Sequence, residues 1–393
     1  MISVTKLLTG KEEFGDKLRY SSESSRQSHG TSRGRGPVVA WNSTNRCNLN
    51  CIHCYANATH DINPDELTTD EAISFINDLA EFKVPVLLFS GGEPLLRDDI
   101  FNLIHHAKLK GIRPVISTNG TLITPEMAKK IKDHGVGYVG ISLDGVGRTN
   151  DRFRGMRGAF KKALEGIRNC IEIEQRVGLR FTISKDTYGS LKDIFDLIEQ
   201  EQIPRVCFYH LAYSGRGFNI KDNDVSKEES RKVLDLIISK TLEFENKGFN
   251  IEILTVDNHS DGIYIYNWAL KNFPERAEYI LKLLKNNGGN RSGMAIGSVN
   301  WEGNVYPDQF TGNINLGNLR ERKFSEIWKD ESNTILAGFR NRKSLLEGRC
   351  SKCGWINLCN GNLRARATLS GNLWASDPAC YLTDDEIGLK GGK

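Results

Sequence analysis

The stretch Cys47-Asn48-Leu49-Asn50-Cys51-Ile52-His53-Cys54 places three thiols in one short loop, and the β-rich run Pro37-Val38-Val39-Ala40-Trp41-Asn42 leads into it. That run is the first of six, the others falling at 85–90, 113–118, 137–143, 179–184 and 205–213. Helical periodicity predicts helices over 68–82, 98–110, 125–134, 159–177, 190–201 and 226–246, the first opened by a capping box of Thr68 and Glu71. Regular strand–helix alternation implies a parallel sheet. Right-handed crossovers then gather the loops after each strand at one face, where such folds bind ligands. Six units predict an α/β fold, a partial (β/α)6 TIM-like barrel over 37–250, with the cysteine loop at its ligand-binding rim.

Three is an informative number of thiols. A structural zinc ion takes four protein ligands, whereas a 4Fe-4S cubane held by three thiolates keeps one iron open to a small molecule. The competing reading is a zinc site completed by His53 or His60. The C-x3-C-x2-C spacing, with the aromatic ring of His53 before the last cysteine, resembles the signature of the radical S-adenosylmethionine (SAM) superfamily. The resemblance implies that Cys47, Cys51 and Cys54 hold a 4Fe-4S cluster that passes one electron to bound SAM. Cleavage of the S–C5′ bond then releases a 5′-deoxyadenosyl radical that abstracts hydrogen from the substrate. The cofactors carry this chemistry and the protein orients them.

Ser90-Gly91-Gly92-Glu93-Pro94 follows the second run. Two glycines let the backbone approach a ligand, Glu93 can accept from an ammonium group, and Pro94 stiffens the turn. The stretch resembles the family's GGEP motif. By that resemblance Gly91, Gly92 and Glu93 are expected to contact SAM, joined by Tyr55, Ser117 and Asn119. Ser117-Thr118-Asn119-Gly120 closes the third run and Ser142-Leu143-Asp144-Gly145 the fourth, and both double as ordinary turn sequences.

Further on, Cys350, Cys353, Cys359 and Cys380 supply four thiols, enough to close a site around either zinc or a cubane. Their spacing resembles the SPASM or twitch region of many radical SAM enzymes, which implies an auxiliary 4Fe-4S cluster in a small C-terminal iron–sulfur domain. A full SPASM region would hold one more cluster, but Asp308 and Leu363 stand where two of its ligands belong. Cys170 and Cys207 fall within expected regular elements and read as small buried hydrophobes. The expected cofactors are therefore two 4Fe-4S clusters and SAM.

The rest of the chain divides around these motifs. Residues 1–36 mix charge with Ser and Gly and read as a flexible segment. Residues 251–290 read as a connecting helical region with Gly288-Gly289 as a linker, 291–393 as the auxiliary-cluster domain, and 390–393 as a frayed tail. Lys and Arg number 53 against 49 Asp and Glu, a net charge of +4, which is too even to suggest a nucleic-acid partner. No run reaches the roughly 18 apolar residues of a membrane span, and Met1 to Gly10 lack a signal-peptide core. Seven of the nine cysteines fall in the two sets, which suits metal ligation in a reducing compartment. A cytoplasmic protein with no membrane partner is expected.

Longer resemblance narrows the substrate. The stretches 35–42 and 371–381 look like those of radical SAM enzymes that act on modified tetrapyrroles, in particular the 12,18-didecarboxysiroheme deacetylases (AhbC) of the alternative heme pathway. A sister group (NirJ) takes the same precursor toward the nitrite-reductase heme. The implied partners are an iron-tetrapyrrole substrate, which loses acetate side chains to become iron-coproporphyrin III, and a one-electron donor of ferredoxin or flavodoxin type. A flat macrocycle ringed by carboxylates calls for apolar walls and arginine donors. Arg26, Arg33, Arg35, Arg46, Arg152, Arg154, Arg157 and Arg216 lie in loops or near strand ends, although each alone reads as solvated surface. The stretch 26–33 would serve as a lid, so that deleting 1–34 weakens substrate binding and spares SAM cleavage. His29 or His210 would serve as an axial ligand to the iron. The rival readings are a peptide-modifying maturase, for which the polar segment before Pro37 is too short, and a non-catalytic zinc ribbon.

Overall fold

All six expected runs form strands. The structure, a computed structural model, describes residues 1–20 and 36–389. Its strands are β1 (Ile2–Ser3), β2 (Val38–Asn42), β3 (Val86–Ser90), β4 (Arg113–Thr118), β5 (Val139–Ser142), β6 (Val177–Ile183), β7 (Arg205–His210), β8 (Glu252–Val256), β9 (Ile296–Val299), β10 (Asn304–Tyr306) and β11 (Gly317–Asn318). Strands β2 to β8 pair in sequence, each parallel to the next. Strand β9 adds a parallel partner on the free side of β2. The sheet therefore runs β1-β8-β7-β6-β5-β4-β3-β2-β9-β10-β11, with β1 antiparallel on β8 and β10 and β11 antiparallel beyond β9. This open, curved arrangement is the partial barrel expected from the sequence, followed by a small irregular region that carries the second cysteine set.

The helices cover the sheet for the reason their periodicity suggested. Thr69–Glu81 is opened by the Thr68–Glu71 capping box and buries Ala72, Phe75, Ile76 and Leu79 on one stripe. Phe75 meets Trp41 of β2 edge-on at 5.6 Å, and Phe89 of β3 lies 5.7 Å from the same indole. These contacts hold the first two strands in the positions from which the site is built.

Four expectations need correction. Strand–helix alternation continues past residue 250: β8, every residue of it buried, and β9 extend the parallel sheet beyond six strands. Strand β9 contains Gly297 and Ser298, weak strand formers that are placed by the neighbours β2 and β10. The flexible segment expected over 1–36 is ordered over 1–20. Ser3 caps the helix Val4–Thr9, and Ile2, Val4, Leu7 and Leu8 are buried along the β8 edge. Deleting 1–34 would thus remove part of the core as well as any lid. Residues 21–35, with the proposed lid, Arg26, His29, Arg33 and Arg35, lie outside the described residues, as do 390–393. The helix expected over 159–177 ends at Glu172, the chain turns at Glu174 with φ 55°, and Val177 opens β6. Gly288-Gly289 is a tight crossing and not a loose linker. A Cβ on Gly289 would overlap the carbonyl of Cys359, and Asn290 N–H donates to that same oxygen at 3.0 Å.

Candidate active site

A cavity of about 150 Å³ opens at the carboxyl ends of the parallel strands. Its walls come from almost every strand in turn: the cysteine loop and Tyr55 after β2, Ser90 to Gly92 after β3, Ser117 and Asn119 at β4, Ser142 on β5, Arg180 and Thr182 on β6, Tyr209 to Ala212 at β7, and Asp257 after β8. Gln309 and Phe310, from beyond β10, close it from the auxiliary side.

Cys47 and Cys51 are buried, Cys54 is half-buried, and none of them forms a disulfide. The loop is held by its backbone. Cys47 N–H donates to Thr59 O at 2.7 Å, and the segment after β7 clamps the other side. There Arg216 donates from Nε to Cys51 O and from Nη1 to Ala58 O, both at 2.8 Å, while its own N–H reaches Cys54 O at 2.9 Å. Gly215 is needed at this point, because a Cβ would overlap the carbonyls of Cys54 and Tyr55.

Donors also wait at the sulfurs. Leu49 N–H lies 3.4 Å and Asn119 Nδ2 3.9 Å from Cys47 Sγ, and Arg154 Nη1 lies 3.8 Å from Cys51 Sγ. Arg154 is itself buried and paired with Asp144, whose Oδ1 accepts Thr182 N–H at 2.5 Å. His53 stacks on Phe153 at 4.3 Å, and burial lowers its pKa to about 3, so the ring is a neutral packing element. His60 Nδ1 meets Cys47 O at 2.9 Å. Both histidines serve the loop's packing. Burial pushes the Cys47 thiol up to about 12 and raises that of Cys51, so loading a cluster displaces thiol protons. Three free thiols on one cavity, met by N–H groups, fit a cubane with one iron left facing the cavity.

The GGEP stretch packs against the chain that enters the cysteine loop. Gly91, with φ 136°, and Gly92 do line the cavity, but their missing side chains make room for the chain entering the cysteine loop. A Cβ on Gly91 would overlap Thr44 O and one on Gly92 would overlap Arg46 O. Gly92 N–H bonds Thr44 O at 2.7 Å and Glu93 N–H bonds Arg46 O at 2.8 Å. Glu93 is not a wall residue. It has no exposed surface, and its carboxylate accepts from Thr118 Oγ1 at 2.8 Å, Asn119 N–H at 2.8 Å and Leu95 N–H at 3.2 Å. Burial raises its pKa to about 7 against these donors. Tyr55 donates to Asn42 at 2.9 Å and lies 3.0 Å from Ser90 Oγ, and Asn119 Nδ2 reaches Asn48 at 2.8 Å. The structure thus brings Tyr55, Gly91, Gly92, Ser117 and Asn119 to the cavity and keeps Glu93 behind it.

Sequence reading missed Arg180, which stands mid-strand on β6. Its Nη1 donates to Ser117 Oγ at 2.6 Å, and its buried Nε has no partner. The available signal was a charge at an alternating position of a strand otherwise apolar. Of the arginines expected in loops or near strand ends, Arg152 and Arg154 lie instead on the helix Arg148–Arg154; Arg154 and Arg216 are committed to the cysteine loop, and Arg152 and Arg157 are exposed.

Cys350, Cys353, Cys359 and Cys380 are all unpaired and half-buried. Burial, then the neighbouring thiols of Cys380, Cys350 and Cys353, raise the pKa of Cys359. Trp355 N–H lies 3.4 Å from Cys353 Sγ, and Ser260 Oγ 3.4 Å from Cys380 Sγ. Four free thiols, two of them met by donors, again fit a cubane. Asp308 is buried and caps a turn, accepting Phe310 N–H at 2.8 Å and Thr311 N–H at 3.0 Å, and Leu363 is buried in the core. Cys170 and Cys207 are buried, as expected.

Residues 41–198 match the family model of the radical SAM superfamily, and residues 294–354 that of SPASM, an iron-sulfur cluster-binding domain. Fe-coproporphyrin III synthase of Methanosarcina barkeri is 53% identical over 99% of this chain and 99% of its own. The chain belongs to the radical SAM family. Pre-heme d1 synthase of Dinoroseobacter shibae is 41% identical over 90% of this chain and 88% of its own. Among solved structures, native anSMEcpe with bound AdoMet superposes with a TM-score of 0.67 at 18% identity, covering 88% of this chain and 94% of that one. As a radical SAM enzyme with a SPASM region, the protein uses SAM and two 4Fe-4S clusters, and the zinc-ribbon reading falls. Among the described residues no helix is long and apolar enough to cross a membrane.

Proposed function

We propose that this radical SAM enzyme removes the acetate side chains of 12,18-didecarboxysiroheme to give iron-coproporphyrin III, a step of heme biosynthesis. The observation that carries the reading is the 53% identity with Fe-coproporphyrin III synthase, which runs the length of both chains. When bound, the first cluster and SAM supply the 5′-deoxyadenosyl radical that abstracts substrate hydrogen.

In this reading Cys47, Cys51 and Cys54 hold that cluster, and Cys350, Cys353, Cys359 and Cys380 hold the auxiliary one. Tyr55, Gly91, Gly92, Ser117 and Asn119 form the wall against SAM, with Glu93 fixing Asn119 from behind. Arg180, a wall residue whose Nη1 holds Ser117, sets a guanidinium charge against a carboxylate in the cavity, the group that both SAM and a carboxylate-ringed macrocycle carry. Leu211, Ala212 and Phe310 give apolar wall for the macrocycle. The electron donor is of ferredoxin or flavodoxin type, and the enzyme works in the cytoplasm.

The match to pre-heme d1 synthase supports a second reading, side-chain removal on the same precursor toward the nitrite-reductase heme. Anaerobic incubation of the reconstituted protein with SAM, dithionite and 12,18-didecarboxysiroheme separates the two. Iron-coproporphyrin III together with 5′-deoxyadenosine is the expected result. A different tetrapyrrole mass supports the second reading, and 5′-deoxyadenosine with an unchanged macrocycle sinks both.

A further inference from the structure

We infer that His210 is an axial ligand to the iron of the tetrapyrrole substrate, bonding through Nδ1. The inference rests on the substrate reading above and adds to it a residue that touches the metal the substrate brings.

Of the histidines among the described residues, only His53 and His210 line the cavity. His53 is spent, stacked on Phe153 within the cysteine loop. His210 closes β7, on the part of the wall shared with Leu211, Ala212 and Asp257. Its Nε2 lies 3.0 Å from Asp261 Oδ2. Asp261 is wholly buried in the first turn of the helix Ser260–Asn272, and its other oxygen accepts the Tyr381 hydroxyl at 2.7 Å. The Tyr381 ring lies nearly parallel to the imidazole, with centroids 6.5 Å apart.

A carboxylate against Nε2 selects the tautomer with the proton on Nε2 and leaves the Nδ1 lone pair available. The contact with Asp261 runs through Nε2, on the far side of the ring from Nδ1. A ring N–H held by a buried carboxylate is how proteins orient histidines that bind metals, since it fixes the ring and raises the basicity of the other nitrogen. Yet among the described residues no set of side chains around His210 could hold an ion by itself. A macrocycle carrying iron brings its own in-plane ligands and leaves an axial position for one side chain. Tyr381 directly follows Cys380, so the device that orients His210 is anchored in the auxiliary cysteine region.

The test titrates the cluster-loaded enzyme and its His210→Ala variant, without SAM, with iron-coproporphyrin III and with metal-free coproporphyrin III. Difference absorption and electron paramagnetic resonance spectra are recorded. The expected result is a histidine-ligated iron spectrum in the wild type that is lost in the variant and restored by added imidazole. Affinity for the iron porphyrin should fall about ten- to a hundredfold, with the metal-free affinity unchanged. A second variant, Asp261→Asn, keeps a hydrogen-bond acceptor but removes the charge, and should raise the reduction potential of the bound iron. An unchanged iron spectrum in His210→Ala, or equal loss of both porphyrins, overturns the inference. Failure of the wild type to bind either porphyrin overturns the substrate reading, and this inference with it.

Discussion

Glu93 has no exposed surface, and three donors converge on its carboxylate from β4 and from its own turn. Burial nevertheless raises its pKa from 4.5 to about 7. Between those values the folded protein binds a proton that the unfolded chain does not. The contribution of this group is complete below about pH 4.5 and is lost as pH rises through about 7. Glu93→Gln removes the titration and sets an amide NH2 against the donors. Urea unfolding at about pH 5 and pH 8 should show the wild type losing on the order of 2 kcal/mol more than the variant across that interval. The variant itself should be weaker by about 1–3 kcal/mol at the upper pH. Parallel pH profiles would show that Glu93 does not titrate there. At this scale the motif was legible and the duties of its members were not. The glycines answer to Thr44 and Arg46, some 45 positions away, and a local reading of the turn holds no trace of that contact. Arg154 looked like any loop arginine until the fold set it against Asp144 and Cys51.

Elements that lie inside a regular pattern could be read from the sequence, and those at its edges could not. Strands β2 to β7 stand out because each is bounded by a helix of clear period, whereas β9 carries Gly297 and Ser298, weak strand formers, and is followed by short strands and turns. The first helix was hidden by the polar stretch after it, although Leu7 has no exposed surface. Leu7→Ala should cost about 2–5 kcal/mol in urea unfolding, and a loss below about 1 kcal/mol would place this helix outside the cooperative core. The crossing at Gly289 makes a sharper prediction. A side chain there must displace the Cys359 carbonyl, and the backbone at φ +70° resists any L residue. Gly289→Ala should therefore lose the auxiliary cluster, with iron per chain falling toward half while SAM cleavage to 5′-deoxyadenosine persists. Full iron content would mean that the crossing tolerates the methyl group.

Barrel and auxiliary region share one cavity, and beside it a buried arginine, paired with an aspartate of its own auxiliary region, reaches across to the barrel. Arg366 has no exposed surface. It donates to Leu211 O at 3.1 Å and Asp257 O at 2.6 Å, both residues of the cavity wall, and grips Asp377 through Nε at 2.9 Å and Nη2 at 2.8 Å. Asp377 in turn accepts Ala379 N–H at 2.9 Å, next to Cys380. The two cysteine sets announced two clusters, but nothing in the sequence said which residue would fix the distance between their domains, because Arg366 sits in a short helix with no periodic signal. Arg366→Met would leave the Asp377 carboxylate buried without a countercharge, at a cost of about 3–5 kcal/mol. The double variant Arg366→Met, Asp377→Leu should regain most of that stability, since apolar groups can replace a buried pair. It should not regain the hydrogen bonds to Leu211 and Asp257, so turnover should stay low in a protein that unfolds at nearly the wild-type urea concentration. Recovery of both together would reduce the latch to packing, whereas recovery of stability alone would show that Arg366 sets the cavity wall against the auxiliary cluster.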